Sequence, residues 1–126
     1  MFALASRPYL SSGIIERLDE FLSAEDRAAG KSPARRLRDG VPVSSVEIFM
    51  QIENFGKKQT QVFRVEVPDS AIKISGPGQV MFEGLTVKPW VRNGSSIVQY
   101  SFRANSVRSA TDEDLKVVDS GELEIF

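Results

Sequence analysis

From Val46 onward the chain alternates with a period of two. Val46, Ile48, Met50 and Ile52 fall on one face, and Glu47, Phe49, Gln51 and Glu53 on the other. That period is the pleat of a half-buried strand and excludes a helix. Asn54-Phe55-Gly56-Lys57 reads as a turn. The run from Thr60 to Val67 then sets Phe63, Val65 and Val67 against Val62, Arg64 and Glu66. Two alternating runs joined by a tight turn predict an antiparallel hairpin. Pro68-Asp69-Ser70 ends it, and Gly76-Pro77-Gly78 marks a second tight connection. A second hairpin is expected from Val80–Val91 and Ile97–Val107, joined through Arg92-Asn93-Gly94-Ser95, because Asn-Gly between strand patterns is a strong hairpin signal. In its last strand Val98, Tyr100, Phe102 and Ala104 are expected to point inward.

Before these hairpins the pattern differs. Phe2–Ala5 reads as a short strand ended by Arg7-Pro8. Ile14, Ile15, Leu18, Phe21 and Leu22 recur at spacings of three and four, which predicts an amphipathic helix from about Ser12 to Ala29, capped by Ser11 or Ser12 and stopped by Gly30. Residues 30–40 carry turn residues and clustered arginines and read as a loop. The expected architecture is mostly β: a five-stranded Greek-key barrel of OB-fold type over residues 1–111, with one helix in the first long connection. Residues 112–126 read either as an acidic C-terminal tail or as an edge strand. A chain of 126 residues with 41% hydrophobic content can bury such a core without staples.

The chain has no cysteine and no histidine. Disulfides, thiolate nucleophiles and thiolate zinc sites are excluded, and the commonest general base and metal ligand are missing. Fragments of enzyme motifs do not hold together. Ser70-Ala71-Ile72-Lys73 has a serine–lysine spacing without its companion elements. Gly76-Pro77-Gly78 lacks the ending of a phosphate loop, and Pro77 removes a backbone donor. Asp112-Glu113-Asp114 lacks the glycine and bidentate glutamate of a calcium loop. Asn93-Gly94-Ser95 reads as a turn, not as a glycosylation site. The expectation is a non-enzymatic protein without metal or cofactor. No apolar stretch approaches the length of a membrane span, and Met1–Ala5 is too short for a signal core, so a cytoplasmic location is expected.

The net charge of -1 hides a split: residues 1–111 carry 15 Lys/Arg against 11 Asp/Glu, whereas residues 112–126 carry one lysine against six acids. A basic body with an acidic end suits a handler of polyanions. By strand parity, Phe49 lies on a polar face, and Trp90 shares its face with Thr86 and Lys88. Arg64 and Arg103 point outward. Aromatic side chains interleaved with cations on a β surface suit single-stranded nucleic acid, since bases stack on rings while cations follow the phosphates. The candidate stacking residues are Phe49 and Trp90, with Tyr9 as a further one. The candidate phosphate contacts are Arg35, Arg36, Arg38, Arg64, Lys88, Arg92 and Arg103.

Four stretches carry a family resemblance: Arg38-Asp-Gly-Val-Pro-Val-Ser-Ser-Val-Glu-Ile, Phe63-Arg-Val-Glu-Val-Pro, Phe82-Glu-Gly-Leu-Thr-Val-Lys-Pro-Trp-Val-Arg-Asn-Gly and Tyr100-Ser-Phe-Arg-Ala-Asn-Ser-Val. Over residues 38–107 the chain resembles small proteins of actinobacterial plasmids, integrative elements and phages. The resemblance implies an OB-fold, single-stranded-DNA-binding or regulatory protein in replication or transfer of a mobile element, with Trp90 and Arg103 at positions the family uses. The predicted helix 12–29 is longer than that pattern. The end Asp119-Ser-Gly-Glu-Leu-Glu-Ile-Phe126 is similar in character to the acidic, phenylalanine-ended tails of bacterial single-stranded-DNA-binding proteins, which implies that Glu122, Glu124, Ile125 and Phe126 contact replication or transfer proteins. A sixth strand through Leu123 and Ile125 is the alternative. A homodimer or higher oligomer is expected, through the helix or through the edge left open by a short first strand. The rival readings are a protein-interaction module, such as a phage structural or adaptor domain, and a duplex-DNA regulator. The latter lacks a helix-turn-helix signature.

Overall fold

Valine and isoleucine, whose branched Cβ suits the pleated backbone, fill the two longest strands, β4 (Val41–Asn54) and β5 (Lys57–Pro68). They pair antiparallel from Val43↔Pro68 to Asn54↔Lys57, as the alternation predicts. Their turn is a two-residue loop with Phe55 and Gly56 both at positive φ, the geometry that matches strand twist. Asp39 and Gly40 make a second loop of this kind between β3 (Leu37–Arg38) and β4. The computed structural model describes residues 2–4, 6–91, 93–94 and 96–119, with the backbone alone for Phe2, Asn54 and residues 116–119.

The remaining elements are β1 (Phe2–Ala3), β2 (Tyr9–Arg17), α1 (Ala24–Ala28), a 3-10 turn at Asp69–Ala71, β6 (Ile72–Lys73), β7 (Gly78–Glu83), β8 (Thr86–Val91), β9 (Val98–Arg103), β10 (Ser106–Ser109) and α2 (Asp112–Asp119). The strands form one open sheet in the order β1-β8-β9-β5-β4-β2-β7-β10-β6, with β3 attached to β4. The fold is mostly β, as expected, but the described residues form an open sheet of ten strands, not a closed five-stranded barrel.

The second hairpin accounts for part of the difference. Val80–Val91 and Ile97–Val107 each break once, at Gly84–Leu85 and at Ala104–Asn105. Gly84 takes φ +68, and Asn105 donates its backbone N–H to Glu83 O at 2.8 Å. One arm, β7 with β10, joins β2 at one side of the sheet, while the other, β8 with β9, joins β5 at the opposite side. Among the described residues, the β8–β9 arm pairs with the rest of the sheet only at its base, through Val65↔Phe102 and Glu66↔Arg103, and its outer edge carries the short β1 through Phe2↔Val87 and Ala3↔Thr86. Phe102 is half-buried against Phe63 and Ala104 is buried, but Val98 and Tyr100, expected inward, are exposed on the arm's outer half.

The predicted helix 12–29 is instead the strand β2, followed by an irregular segment and the five-residue α1 capped by Ser23. Pairing with β4 and β7 overrides the local three-and-four spacing. Tyr9 and Ser11 are buried, whereas Ile14 and Ile15 stay largely exposed. The register shifts between Ser11 and Ile15, around Gly13 at φ +82. Ser11 Oγ donates to Glu47 O at 2.7 Å and accepts from Gly13 N at 3.0 Å, which holds this bulge in place. The predicted loop 30–40 contains β3, and Asp19 bridges Arg35.

The core is Tyr9, Val46, Ile48, Met50, Val65, Val67, Val80, Phe82, Leu85, Ala104 and Val107. Residues 112–119 form α2, so the edge strand, one of the two readings of residues 112–126, is not present over 112–119. Thr111 and Asp114 cap α2 reciprocally, and Arg108 Nη1 reaches Asp114 Oδ2 at 2.7 Å. Glu122, Glu124, Ile125 and Phe126 lie outside the described residues. Among the described residues, no helix is long and apolar enough to cross a membrane.

Asp69 secures the other end of the sheet. It accepts from Ser44 Oγ at 2.6 Å and from Arg35 Nη2 at 2.8 Å. The Ser44 hydroxyl, then the Arg35 guanidinium, hold its carboxyl below the usual range. Asp114 is likewise held well below it, by Arg108 and then by the Thr111 backbone N–H. Depressed folded-state values give stability that is fully present above the unfolded value of about 4 and is lost as pH falls through the folded values. Urea midpoints should be level from pH 7 to about 5 and fall toward pH 3. The Asp69→Asn variant should fall less steeply. An unchanged slope in that variant would show that Asp69 contributes nothing to the acid limb.

Candidate nucleic-acid interface

The register places one side of the sheet in full. Thr86, Lys88 and Trp90 on β8 face the same way as Arg103, Ser101 and Gln99, their partners on β9. Across the β9–β5 junction come Glu66 and Arg64, and across β5–β4 come Ser45 and Glu47. Trp90, Lys88, Arg64 and Arg103 therefore share a face, as strand parity requires.

Trp90 is 42% exposed, although it is the largest side chain of the molecule. It lines a cleft of about 240 Å³ with Thr86, Lys88, Ser101 and Arg103. Next to it is a notch of about 260 Å³, bordered by Leu18, Arg36, Arg64, Glu66, Tyr100 and Arg103. The notch opens where β9, paired to β5 at only two positions, diverges from it.

Glu66 organises the notch. Its side chain is 12% exposed and lies 3.2 Å from Arg103 Nε, 3.6 Å from Arg38 Nη1 and 3.8 Å from Arg36 Nη1. Its buried Oε2 has no partner in hydrogen-bond geometry, so it acts mainly as a charge. Three guanidiniums on one carboxylate leave a local positive excess in a partly desolvated place, where charges are screened less than on an open surface. Arg36 and Arg103 remain about half exposed. Arg64 is exposed, pairs with Glu16 at 3.2 Å and faces Glu47 across the β4–β5 register.

The other candidates are placed elsewhere. Arg35 is spent on Val43 O and Asp69, so it anchors the 18–36 segment and is not at the face. Arg38 is largely buried, with Nη2 donating to Ala104 O at 2.6 Å, and contributes charge but little contact surface. Phe49 points to the expected face, but it is half-buried and its direct cross-strand neighbours are the apolar Leu10 and Val62. Tyr9, considered for stacking, is buried edge-on against Phe82, 6.0 Å between ring centroids. Arg92 lies outside the described residues.

Two features were missed by the sequence reading. Glu66 is the hub of the arginines, and its signal was a carboxylate set between strand residues on the arginine-bearing parity. Phe55 is 97% exposed with φ +52 at the tip of the first hairpin, beside Lys57 and Lys58. Its signal was an aromatic ring at a turn position that favours asparagine or glycine. Comparison of the chain with protein-family models, with curated proteins and with solved structures finds no match.

Proposed function

We propose that this protein binds single-stranded DNA, with little preference for base sequence and without catalysing a reaction on it. The observation that carries the reading is the half-exposed Trp90 in a cleft with Lys88 and Arg103, continuous with the arginine notch at Glu66. A ring left open to solvent beside cations offers stacking worth roughly 1–3 kcal/mol per base, and the guanidiniums neutralise phosphates. The resemblance of residues 38–107 to proteins of mobile elements supports a role in replication or transfer of such an element.

Titration with a thymidine oligonucleotide of about 20 nucleotides, followed by emission of the single tryptophan, tests it. Strong quenching is expected, with affinity falling as salt rises by about 0.7 log units per log unit for each phosphate neutralised. A flat emission trace together with an unshifted oligonucleotide in a mobility assay would remove nucleic acid from consideration.

A second reading, self-association or an assembly role, is favoured by the other side of the β8–β9 arm. There Val91, Val98 and Tyr100 are about half exposed in adjoining register positions. Sedimentation without DNA separates the two readings: a dimer that neither binds nor responds to the oligonucleotide favours assembly.

A further inference from the structure

The surface that begins at Trp90 continues past the notch. Arg36, which borders the notch beside Glu66, also lines a further open depression of about 370 Å³ with Phe21, Leu22, Arg27 and Pro33. The Trp90 cleft and the notch share Ser101 and Arg103, and the notch and this depression share Arg36. Leu18 borders the notch, and Asp19, the next residue, borders the depression. The three depressions thus adjoin in series.

Phe21 is 86% exposed, yet the segment carrying it is held on both sides. Glu20 N–H donates to Ala34 O at 2.8 Å before it, and Ser23 caps α1 after it. The Arg27 guanidinium lies over the ring, 5.4 Å from its centroid. A cation on a ring fixes how the ring is presented without burying it. What remains open is an aromatic surface on which a base can stack. The charge around it differs from that of the notch. Asp19 and Glu20 line the depression beside Arg27 and Arg36. Arg17 pairs with Asp19 at 2.6 Å, and Lys31 pairs with Asp26 at 3.2 Å, with Glu25 also on α1. Arg17, Arg27, Lys31 and Arg36 therefore balance Asp19, Glu20, Glu25 and Asp26, and this end supplies a ring without a net pull on phosphate.

We propose that Phe21 is a second base-stacking residue, and that the bound strand runs from Trp90 through the notch and past Arg36 to Phe21. This rests on the single-strand reading and lengthens its site by one stacking position that adds no phosphate contact.

Moving the single indole tests it. In a chain carrying Trp90→Phe and Phe21→Trp, both positions keep a ring and the emission reports on position 21. A labelled thymidine oligonucleotide of about 12 nucleotides is titrated, with anisotropy following binding. Quenching in step with the anisotropy is expected. In the otherwise unchanged chain, Phe21→Ala should weaken binding of the same strand at least about fivefold, the lower end of one stacking contact, and leave the salt slope as it was. Binding without any change in emission from position 21, or a Phe21→Ala chain that binds as tightly as the parent, overturns the second stacking position and leaves the single-strand reading standing. A dimer in sedimentation without DNA that Phe21→Ala abolishes, with oligonucleotide affinity unaltered, assigns the depression to a second copy and also overturns it. If the parent binds no oligonucleotide, the single-strand reading fails and the stacking role of Phe21 fails with it.

Discussion

A chain carrying Trp90→Ala and Arg103→Ala is expected to bind a labelled thymidine oligonucleotide about 100-fold more weakly than the parent while unfolding at nearly the same urea concentration. Loss of one stacking ring accounts for roughly 1–3 kcal/mol, and loss of a charge-assisted contact for a similar amount. Both side chains are about half exposed, so neither leaves a cavity. Glu66 keeps Arg36 and Arg38 when Arg103 is removed, so no lone buried charge results. The salt dependence should also become shallower, by about 0.7 in slope for the phosphate contact removed. Anisotropy of the labelled strand is the readout, since the variant has no tryptophan. Affinity equal to that of the parent would place the binding surface elsewhere, whatever the ligand.

Gly13→Ala should be the most damaging small substitution in the molecule, lowering stability by about 3 kcal/mol. Gly13 sits at φ +82, where an L-residue is strained by roughly 1–2 kcal/mol. A Cβ there would also lie 2.5 Å from Gly76 C and from Pro77 N. Those atoms are backbone in the connection leading into β7, and β7 is pinned to β2 by Tyr9↔Val80 and Ser11↔Gly78. The clash is relieved only by parting two paired strands. Gly84→Ala supplies the contrast: its φ of +68 carries similar strain, but the nearest obstacle is the Asn105 side-chain amide, which can rotate away. Urea denaturation should rank Gly13→Ala well below Gly84→Ala. Equal losses would show that the strand junction yields as easily as a side chain.

The parts of the fold written in short-range alternation were legible in the residues. The β4–β5 hairpin, its turn and the outward parity of Trp90, Arg64 and Arg103 all follow from a period of two that the sheet preserves. The N-terminal segment was not legible. Ile14, Ile15 and Leu18 carry a helical spacing, but the edge of β4 offers backbone partners that no local pattern reveals. The break in the second hairpin was hidden for a related reason. Gly84 is visible in the sequence, but only the pairing of Asn105 with Glu83 shows both strands turning at one place. Among the arginines, residue type announced a polyanion site, whereas the division of labour did not show. Arg35 is drawn off by Val43 O and Asp69 and Arg38 by Ala104 O, contacts that residue type alone does not reveal.

The attachment of the β8–β9 arm at its base alone has a consequence for exchange of its amide protons. Beyond Lys88 and Ser101 the arm is a two-stranded ribbon, and such a ribbon is marginal by itself in water. Its outer amides should therefore exchange through local opening, at a rate set by the ribbon and not by global unfolding, while those of β4 and β5 wait for the whole domain. Trp90 sits on that ribbon, whereas Arg36 and Glu66 sit on the fixed sheet and its covering segment. A ligand spanning the two would hold the ribbon closed, so protection of the amides around Trp90 would rise with occupancy and report binding without any label.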